Sequence, residues 1–254
     1  MDRNEEVSFG SFRGQMNVVV VGASGGIGAG MTEVLSGHPD VASVTACSRR
    51  GACLERANVR YHQLDIENED TIAAVADRLK VEGRALDMVI VATGILHDGA
   101  ALGPEKTWRS LDAATLEKVY RVNTIGPALI AKHFLPLLAR DRKSVLAALS
   151  ARVGSISDNQ LGGWHAYRAS KTALNMLIKN FAIELARRNP KALCVGLHPG
   201  TVNTGLSKPF QGNVPEGKLF APHFVAVRLL NVLDDLTADD NGKLLAWDGK
   251  IIPC

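Results

Sequence analysis

Tyr167 and Lys171 lie four residues apart in the segment AYRASKTALNM. The apolar periodicity around them predicts a helix over 164–188, on which side chains at i and i+4 project from one face. A phenol with a pKa near 10 exchanges protons poorly at neutral pH. A neighbouring ammonium group stabilises the phenolate and lowers that pKa. The pair therefore indicates acid–base chemistry by Tyr167, although this spacing alone also fits a surface contact.

A glycine-rich turn, GASGGIG, follows the apolar run Asn17–Val21 without a break. Its spacing is Gly-x-x-x-Gly-x-Gly, with glycines at Gly22, Gly26 and Gly28. Positions without side chains let a pyrophosphate approach the backbone, and the free N–H groups of the next helix bind its charge. A tight bend without a ligand is the alternative. The position directly after the first strand favours phosphate binding.

The ends of the next strands carry further polar or tight segments. Arg49 and Arg50 end the second strand, where dinucleotide folds use a carboxylate for a ribose hydroxyl or an arginine for a 2′-phosphate. No carboxylate is present there, so NADP(H) is expected over NAD(H), with Arg49 as the main contact. Asp65 ends the third strand and either meets the adenine edge or caps a turn. Ala92-Thr93-Gly94 ends the fourth strand beside the expected ribose.

Short β-rich runs alternate with amphipathic segments along the chain. Predicted strands are Asn17–Val21, Val41–Ala46, Val59–Gln63, Leu86–Val91, Ser144–Leu149, Ala192–Leu197 and Lys243–Trp247, and predicted helices span 26–36, 69–81, 112–138, 164–188 and 221–236. Asn68 and Asp112 are expected N-caps, Gly37 is expected to end the first helix, and Pro127 and Pro136 are expected to bend or end the third. This alternation predicts a Rossmann-like, doubly wound parallel sheet of seven strands with helices on both faces. We expect one domain over 16–254, preceded by a loosely held tail over 1–15.

Composition excludes several classes of protein. The 254 residues are 46% apolar and 22% charged, and the net charge of +3 is scattered rather than gathered into a nucleic-acid-binding stripe. No segment reads as a signal peptide or a membrane span. The cysteines Cys47, Cys53, Cys194 and Cys254 have no metal-ligand spacing, so no metal site is expected. Reduced thiols of this kind are typical of a cytoplasmic protein.

Taken together, these motifs resemble the short-chain dehydrogenase/reductase family over residues 17 to about 250. The glycine turn, Asn123, a serine after the fifth strand, Tyr167 with Lys171, and Pro199-Gly200 occur in the family's order. The stretch SARVGSISDNQLGGWHAYRASKTALN is similar to the subgroup of C-factor signalling proteins and sniffer-type carbonyl reductases.

The resemblance implies a role for each matched residue. Tyr167 would be the general acid for carbonyl reduction and the base in reverse, and Lys171 would hold the nicotinamide ribose and lower the pKa of Tyr167. Asn123 would hold a water linking Lys171 to solvent, and a serine would orient the substrate oxygen. The cofactor contacts implied are Gly22, Ser24, Gly26, Ile27, Gly28, Ser48, Arg49, Asp65, Ile66, Ala92, Thr93, Gly94, Tyr167, Lys171, Pro199, Gly200, Val202 and Thr204.

The serine departs from the family pattern of Ser-x-x-Gly. Counting back from Gly154 gives Ala151, whereas Ser150 lies one residue earlier and Ser155 follows the glycine. Side chains alternate in facing along a strand, so Ser150 would turn away from the substrate if the strand continued through it. We expect a loop distortion to bring Ser150 round, with Ser155 as the alternative. The usual Asn-Asn-Ala-Gly after the fourth strand is also replaced, by Val91-Ala92-Thr93-Gly94.

A glycine- and proline-rich segment over about 205–221 is expected to form a lid over the substrate. The expected apolar contacts are Ile95, Leu96, Trp164, Leu206 and Phe210. The resemblance implies NADPH-dependent reduction of an aldehyde, ketone or quinone by a homodimer or homotetramer. The alternative is an NADP-binding regulatory or signalling protein with little turnover, which the displaced serine favours.

Overall fold

The computed structural model describes residues 6–50, 56–99 and 102–253. Its strands are β1 (Met16–Val21), β2 (Val41–Ser48), β3 (Val59–Gln63), β4 (Met88–Val91), β5 (Ser144–Leu149), β6 (Ala192–His198), β7 (Thr201–Val202), β8 (Leu219–Phe220), β9 (Leu244–Ala246) and β10 (Ile251–Ile252). Eight of them form one sheet in the order β10-β9-β6-β5-β4-β1-β2-β3, and β7 pairs with β8 separately. All neighbours in the large sheet are parallel except β9 and β10. The doubly wound α/β fold is therefore confirmed.

The sheet has one strand more than the seven predicted. Residues Ile251–Ile252 return antiparallel along β9 through a turn in which Gly249 has φ +79°. A two-residue strand is too short to show any periodicity in the sequence.

Helices cover both faces of the sheet. They are α1 (Gly26–Gly37), α2 (Glu69–Glu82), α3 (Ala113–Tyr120), α4 (Gly126–Phe134), α5 (His165–Arg188) and α6 (Pro222–Asp235). Val18 and Val20 of β1 are buried in the core under α1 and α6, whereas Val19 and Val21 are buried in the core under α2, α4 and α5. Alternate residues of the same strand thus enter opposite cores, as a strand covered on both faces requires.

The predicted helix ends agree with the structure, but the single helix expected over 112–138 is interrupted. Asn68 and Asp112 accept hydrogen bonds from Asp70 N–H and Thr115 N–H as N-caps, and α1 ends at Gly37. Between α3 and α4 lies a π-helical turn, Arg121–Ile125, directly before Pro127. Because proline has no N–H to continue the helical ladder, an irregular turn at this point is expected.

The N-terminal segment is not a loose tail where the structure describes it, over residues 6–15. Phe9 and Phe12 are buried in the core under α6. Ser11 Oγ donates to the backbone carbonyl of Asp234 at 2.6 Å, and Ser11 N–H donates to the Asp234 carboxylate at 2.9 Å. The polar composition of the segment hid these two aromatic anchors, which tie it to the end of α6.

Two further sequence predictions concern cysteines and membrane spans. Cys47 and Cys194 are free and buried, and burial raises the pKa of each thiol to about 12. Cys53 and Cys254 lie outside the described residues. Within the described ranges, no helix has the length and apolarity needed to cross a membrane.

Candidate active site

The glycine turn after β1 is shaped by close backbone approaches. Gly22 has φ +90°, and a Cβ placed there would come within 3.0 Å of Thr93 Cγ2. A Cβ on Gly28 would overlap the Gly22 carbonyl oxygen. Gly25, the N-cap of α1, supplies no side-chain acceptor, and the first turn of α1 contains no acidic residue. The N-terminus of α1 is therefore left to bind an external anion.

The turn opens into a cavity of about 600 Å³, a size typical of small-molecule sites. It runs along the carboxyl ends of β1 to β4, the edge where ligands bind in this fold. Predicted cofactor contacts on its wall are Gly22, Ser24, Ser48, Arg49, Asp65, Ile66, Ala92, Thr93 and Gly94, and predicted substrate contacts on it are Ile95, Leu96 and Leu206. Segments far apart in sequence thus form one continuous site.

The other predicted cofactor contacts are not on this wall, and the one close approach among them joins Gly26 to Thr204. Gly26, Ile27 and Gly28 form the start of α1, and a Cβ on Gly26 would come within 2.5 Å of Thr204 Cγ2. The other predicted cofactor contacts after β6 are Pro199, Gly200 and Val202. Gly200 has φ +74°, and Val202 is buried. Thr204 therefore packs against the glycine turn from the opposite side.

The far end of the cavity is basic. Arg49 and Arg50 are exposed and line it, whereas Ser48 is buried. Lys118 Nζ lies 2.8 Å from both carboxylate oxygens of Glu67, and both residues also line the cavity. Sequence analysis missed this ion pair because its members are 51 positions apart and belong to no motif.

Asp65 caps the turn after β3, and its contact with an adenine edge stays a prediction. It lines the cavity, and its Oδ1 accepts a hydrogen bond from Glu67 N–H at 3.0 Å, capping the turn after β3.

Lys171 is buried beneath the end of β5. Its Nζ donates to the Leu149 carbonyl oxygen at 2.8 Å and lies 5.9 Å from the centroid of the Tyr167 ring. Burial lowers the pKa of Lys171 to about 8 and raises the pKa of Tyr167 to about 12. In the protein by itself, desolvation of the phenolate is the cause of this rise, so a lowering of the Tyr167 pKa by Lys171 stays a prediction for the cofactor-bound site.

Asn123 is fully buried and holds the segment after β4. Its Nδ2 donates to the Ile95 carbonyl at 2.9 Å, and its Oδ1 accepts from Ile95 N–H at 2.8 Å. A Cβ on Gly94 would lie 3.5 Å from Asn123 Oδ1 and 3.7 Å from Lys171 Nζ. Gly94 is thus the point where the cavity, Asn123 and Lys171 meet.

The two candidate serines have different partners. Ser150 Oγ donates to Asn175 Oδ1 of α5 at 2.6 Å, whereas Ser155 Oγ accepts from Asp158 N–H at 3.1 Å. Both serines are buried. The hydroxyl proton of Ser150 is directed to the helix, while that of Ser155 has no acceptor among the described residues. This arrangement does not favour Ser150 over Ser155.

The segment predicted to form a lid contacts the start of α5 and the segment after β4 through aromatic rings. Phe210 lies 5.0 Å from Trp164 and 5.8 Å from His97 between ring centroids, and Trp164 lies 6.3 Å from Tyr167 in an edge-to-face contact. His97, to which the sequence assigned no role, also bonds through Nε2 to the Gly205 carbonyl oxygen at 3.0 Å. An apolar roof therefore covers the side of the site that carries Tyr167.

Known proteins resemble this chain over nearly its whole length. The family model for short chain dehydrogenase matches residues 16–214. The chain is 31% identical to 1-hydroxy-2-glutathionyl-2-methyl-3-butene dehydrogenase of Rhodococcus sp. (strain AD45), over 92% of this chain and 98% of that protein. It is 30% identical to C-signal of Myxococcus xanthus, over 66% of this chain and 92% of that protein.

Solved structures give the same result. The NADPH-bound carbonyl reductase from chicken fatty liver superposes with a TM-score of 0.83 at 26% identity, over 97% of this chain and 96% of that one. Carbonyl reductase Sniffer of D. melanogaster has a TM-score of 0.79 at 21% identity, over 95% and 100%, and shows the shared fold. The chain therefore belongs to the short-chain dehydrogenase family and is an NAD(P)-dependent oxidoreductase.

Proposed function

We propose that this protein is an NADPH-dependent carbonyl reductase in which Tyr167 is the general acid. The observation that carries the proposal is the convergence of Lys171 and Asn123 on Gly94, at one end of the dinucleotide-sized cavity. Tyr167 lies on the same helix as Lys171, under an apolar roof. Lys171 therefore lies next to the cavity at Gly94, and Tyr167 lies one helical turn before it on α5, which supports a shared cleft.

The cavity fits a phosphorylated dinucleotide. Gly22 and Gly28 leave no room for side chains in the cradle beside α1, and Thr93 Oγ1 is buried without a protein partner among the described residues. A ligand hydroxyl or phosphate oxygen would satisfy that group. Arg49 and Arg50 at the β2 end supply cations where a 2′-phosphate would lie, which supports NADP(H) over NAD(H). The similarity to the NADPH-bound chicken reductase supports the same preference.

The chain's own residues supply proton transfer and positioning. A bound reduced nicotinamide provides the hydride. With a pKa near 12, Tyr167 remains a protonated phenol at neutral pH and can donate its proton to the carbonyl oxygen. Lys171, with a pKa of about 8, carries its charge below that pH and favours the phenolate left after proton donation.

The substrate proposed is a small apolar aldehyde, ketone or quinone. Ile95, Leu96 and Leu206 line the cavity next to Gly94, and the rings of Trp164 and Phe210 pack above Tyr167. Such a pocket excludes water from the reacting carbonyl, which strengthens hydrogen bonds made there.

A regulatory NADP-binding protein with little turnover is the second candidate. It is favoured by the serine arrangement, since Ala151 occupies the family's serine position and Ser150 donates to Asn175. The similarity to C-signal, at 30% identity over 66% of the chain, supports the same alternative.

The test is a panel of aldehydes, ketones and quinones with NADPH and NADH, followed by loss of reduced-cofactor absorbance. We expect turnover with NADPH, and we expect Tyr167→Phe to lower kcat by about a thousandfold while NADPH still binds. The matched control is Tyr120→Phe, which removes the same hydroxyl outside the site. If no compound of the panel is turned over while NADPH still binds, the carbonyl reductase proposal is wrong and the regulatory candidate is favoured.

The domain organisation, assembly and location are also proposed. We propose one domain over 16–254 with a lid over about 205–221, assembled into a homodimer or homotetramer in the cytoplasm. The exposed apolar side chains of Ile125, before α4, and of Met176 and Ile183, on α5, support assembly. The free thiols of Cys47 and Cys194 support a reducing compartment. Light scattering coupled to size exclusion tests the assembly, and a monomer at micromolar concentration would contradict it.

A further inference from the structure

We propose that Glu105 is a positioning residue for Tyr167, acting through the turn that precedes α5. The inference rests on the proposed role of Tyr167. Glu105 belongs to none of the motifs discussed above, and it lies in the segment between β4 and α3, 61 positions before its helix partner. The residue is only 6% exposed, which is rare for a carboxylate, and it forms no ion pair with any of the described residues.

Glu105 binds the start of α5 at two points. Its backbone carbonyl accepts from Trp164 N–H at 2.5 Å, and its Oε2 accepts from Ala166 N–H at 3.2 Å. Both donors belong to the end of the helix where N–H groups have no partner within the helix. Tyr167 is the next residue after Ala166, so these contacts fix the backbone directly before the phenol.

The turn held by Glu105 has an unfavourable backbone conformation. Gly162, Gly163 and Trp164 have φ of +62°, +64° and +51° in succession. For a bulky residue such as Trp164, the left-handed region is sterically costly and persists only where the surroundings enforce it. The Arg168 guanidinium holds the turn from the other side, since its Nε donates to the carbonyls of Gly162 and Gly163 at 3.1 and 3.0 Å.

This conformation sets the roof of the site. Trp164 contacts the Tyr167 ring edge to face and packs on Phe210 of the lid. If the turn relaxed into an ordinary conformation, the indole would leave both rings and the first turn of α5 would lose its caps. A shift of the phenol oxygen by about 1 Å would disrupt the alignment that proton donation needs.

The second carboxylate oxygen of Glu105 is a cost to the stability of the fold. Oε1 is buried and has no hydrogen-bond partner among the described residues. An unsatisfied buried oxygen destabilises the fold, so packing alone would favour an apolar side chain at this position. The hydrogen bond that Oε2 accepts from Ala166 N–H explains why a polar side chain occupies this position.

Two variants of similar size isolate that acceptor. Glu105→Met fills the space without accepting a hydrogen bond, and Glu105→Gln keeps an acceptor oxygen without the charge. Asp112→Ala is the matched control, because Asp112 caps α3 through Thr115 N–H at 2.8 Å but has no contact with the turn before α5. Kinetic constants for a carbonyl substrate and the Kd for NADPH are measured on each full-length variant.

We expect Glu105→Met to lower kcat by about tenfold or more with the NADPH Kd unchanged. Glu105→Gln should restore kcat, and Asp112→Ala should leave it unchanged. Wild-type kcat in Glu105→Met would overturn the proposal. An equal loss of kcat in Glu105→Gln would also overturn it, because the effect would then come from the charge. An equal loss of kcat in Asp112→Ala would overturn it as well, because the effect would then come from general destabilisation.

Fluorescence of Trp164 tests the same inference without turnover. Trp108→Phe and Trp247→Phe leave Trp164 as the single tryptophan of the chain. In that background, Glu105→Met should shift the Trp164 emission to the red and increase its quenching by acrylamide, whereas Glu105→Gln should not. An unchanged emission in Glu105→Met overturns the positioning role. If the wild type reduces no carbonyl, the proposed function fails, but the fluorescence measurement still decides the role of Glu105. If Glu105→Met does not fold, Glu105→Ala replaces it.

Discussion

The cofactor half and the substrate half of the cleft are built in different ways. In the cofactor half, the turn around Gly22 and Gly28 is dictated by backbone contacts that exclude any side chain. In the substrate half, Trp164, Phe210 and His97 come from three separate segments and meet only through their side chains. Backbone geometry is specified by local sequence, whereas side-chain assembly depends on the whole fold. The difference predicts that substitutions in the first half act on binding and folding together, and that those in the second half act on turnover.

The largest effect on cofactor binding is expected from Gly28→Ala. Any Cβ at Gly28 meets the Gly22 carbonyl oxygen, which is rigid backbone, so the turn must open and the anion site at α1 is lost. We expect the NADPH Kd to rise by more than about a hundredfold, together with a lower melting temperature. Gly103→Ala is the control, because a Cβ at Gly103 meets nothing within 4 Å. Near-normal NADPH binding by Gly28→Ala, measured by calorimetry, would show that the cofactor half does not depend on its backbone.

Arg49→Glu is expected to have the next largest effect, because it places a carboxylate where a 2′-phosphate would lie. We expect the ratio of kcat/KM for NADPH over NADH to fall by about a hundredfold, through loss of a charge-assisted contact and gain of a repulsion. Arg50→Glu should change the ratio less, since Arg49 is the predicted main contact. A larger effect at Arg50, or an unchanged ratio in both variants, would require a different account of the basic end of the cavity.

Lys171→Met separates stability from turnover. The pKa of Lys171 falls from 10.5 to about 8 on folding, so the unfolded chain binds the proton more tightly and the buried charge destabilises the fold fully below pH 8. The shift corresponds to about 3 kcal/mol, from which the lost hydrogen bond to Leu149 subtracts about 1 kcal/mol.

We therefore expect Lys171→Met to gain about 2 kcal/mol of unfolding free energy at pH 7 and to lose turnover. The gain should shrink as the pH rises from 8 towards 10.5, because the lysine then loses its proton in the unfolded chain as well as in the folded one. Urea titrations at pH 7 and pH 10 measure both values. A gain that is the same at the two pH values would contradict the assignment to the buried ammonium group.

The same contrast explains which features the sequence could predict. Strands β1 to β6, the caps at Asn68 and Asp112, and the cavity wall from Gly22 to Gly94 follow from local patterns of apolar residues, glycines and capping side chains. The pairs Lys118–Glu67 and Glu105–Ala166 could not be predicted, because their partners are 51 and 61 positions apart and neither pair has a motif. The burial of Phe9 and Phe12 was missed for a related reason, since two aromatic residues in a polar segment show no periodicity. The pKa of Tyr167 depends on the packing around it, which spacing to Lys171 does not report.

The smallest effect is expected at the serines, where the substrate half departs most from the family pattern. Ser150 donates to Asn175 at 2.6 Å, so Ser150→Ala should lower the unfolding free energy by about 1 kcal/mol and leave kcat nearly unchanged. Ser155→Ala removes a hydroxyl whose proton has no protein acceptor among the described residues, and we propose a substrate oxygen as its partner. We expect its kcat/KM to fall by about tenfold.

Comparing the two serine variants on one carbonyl substrate decides between the candidates. A larger loss of kcat/KM in Ser150→Ala would mean that Ser150 leaves Asn175 and turns to the substrate during turnover. Equal and small losses would mean that neither hydroxyl orients the carbonyl, and that Tyr167 provides the main hydrogen bond to it. The substrate half would then depend on the position of a single phenol, which would raise the importance of every contact that fixes the start of α5.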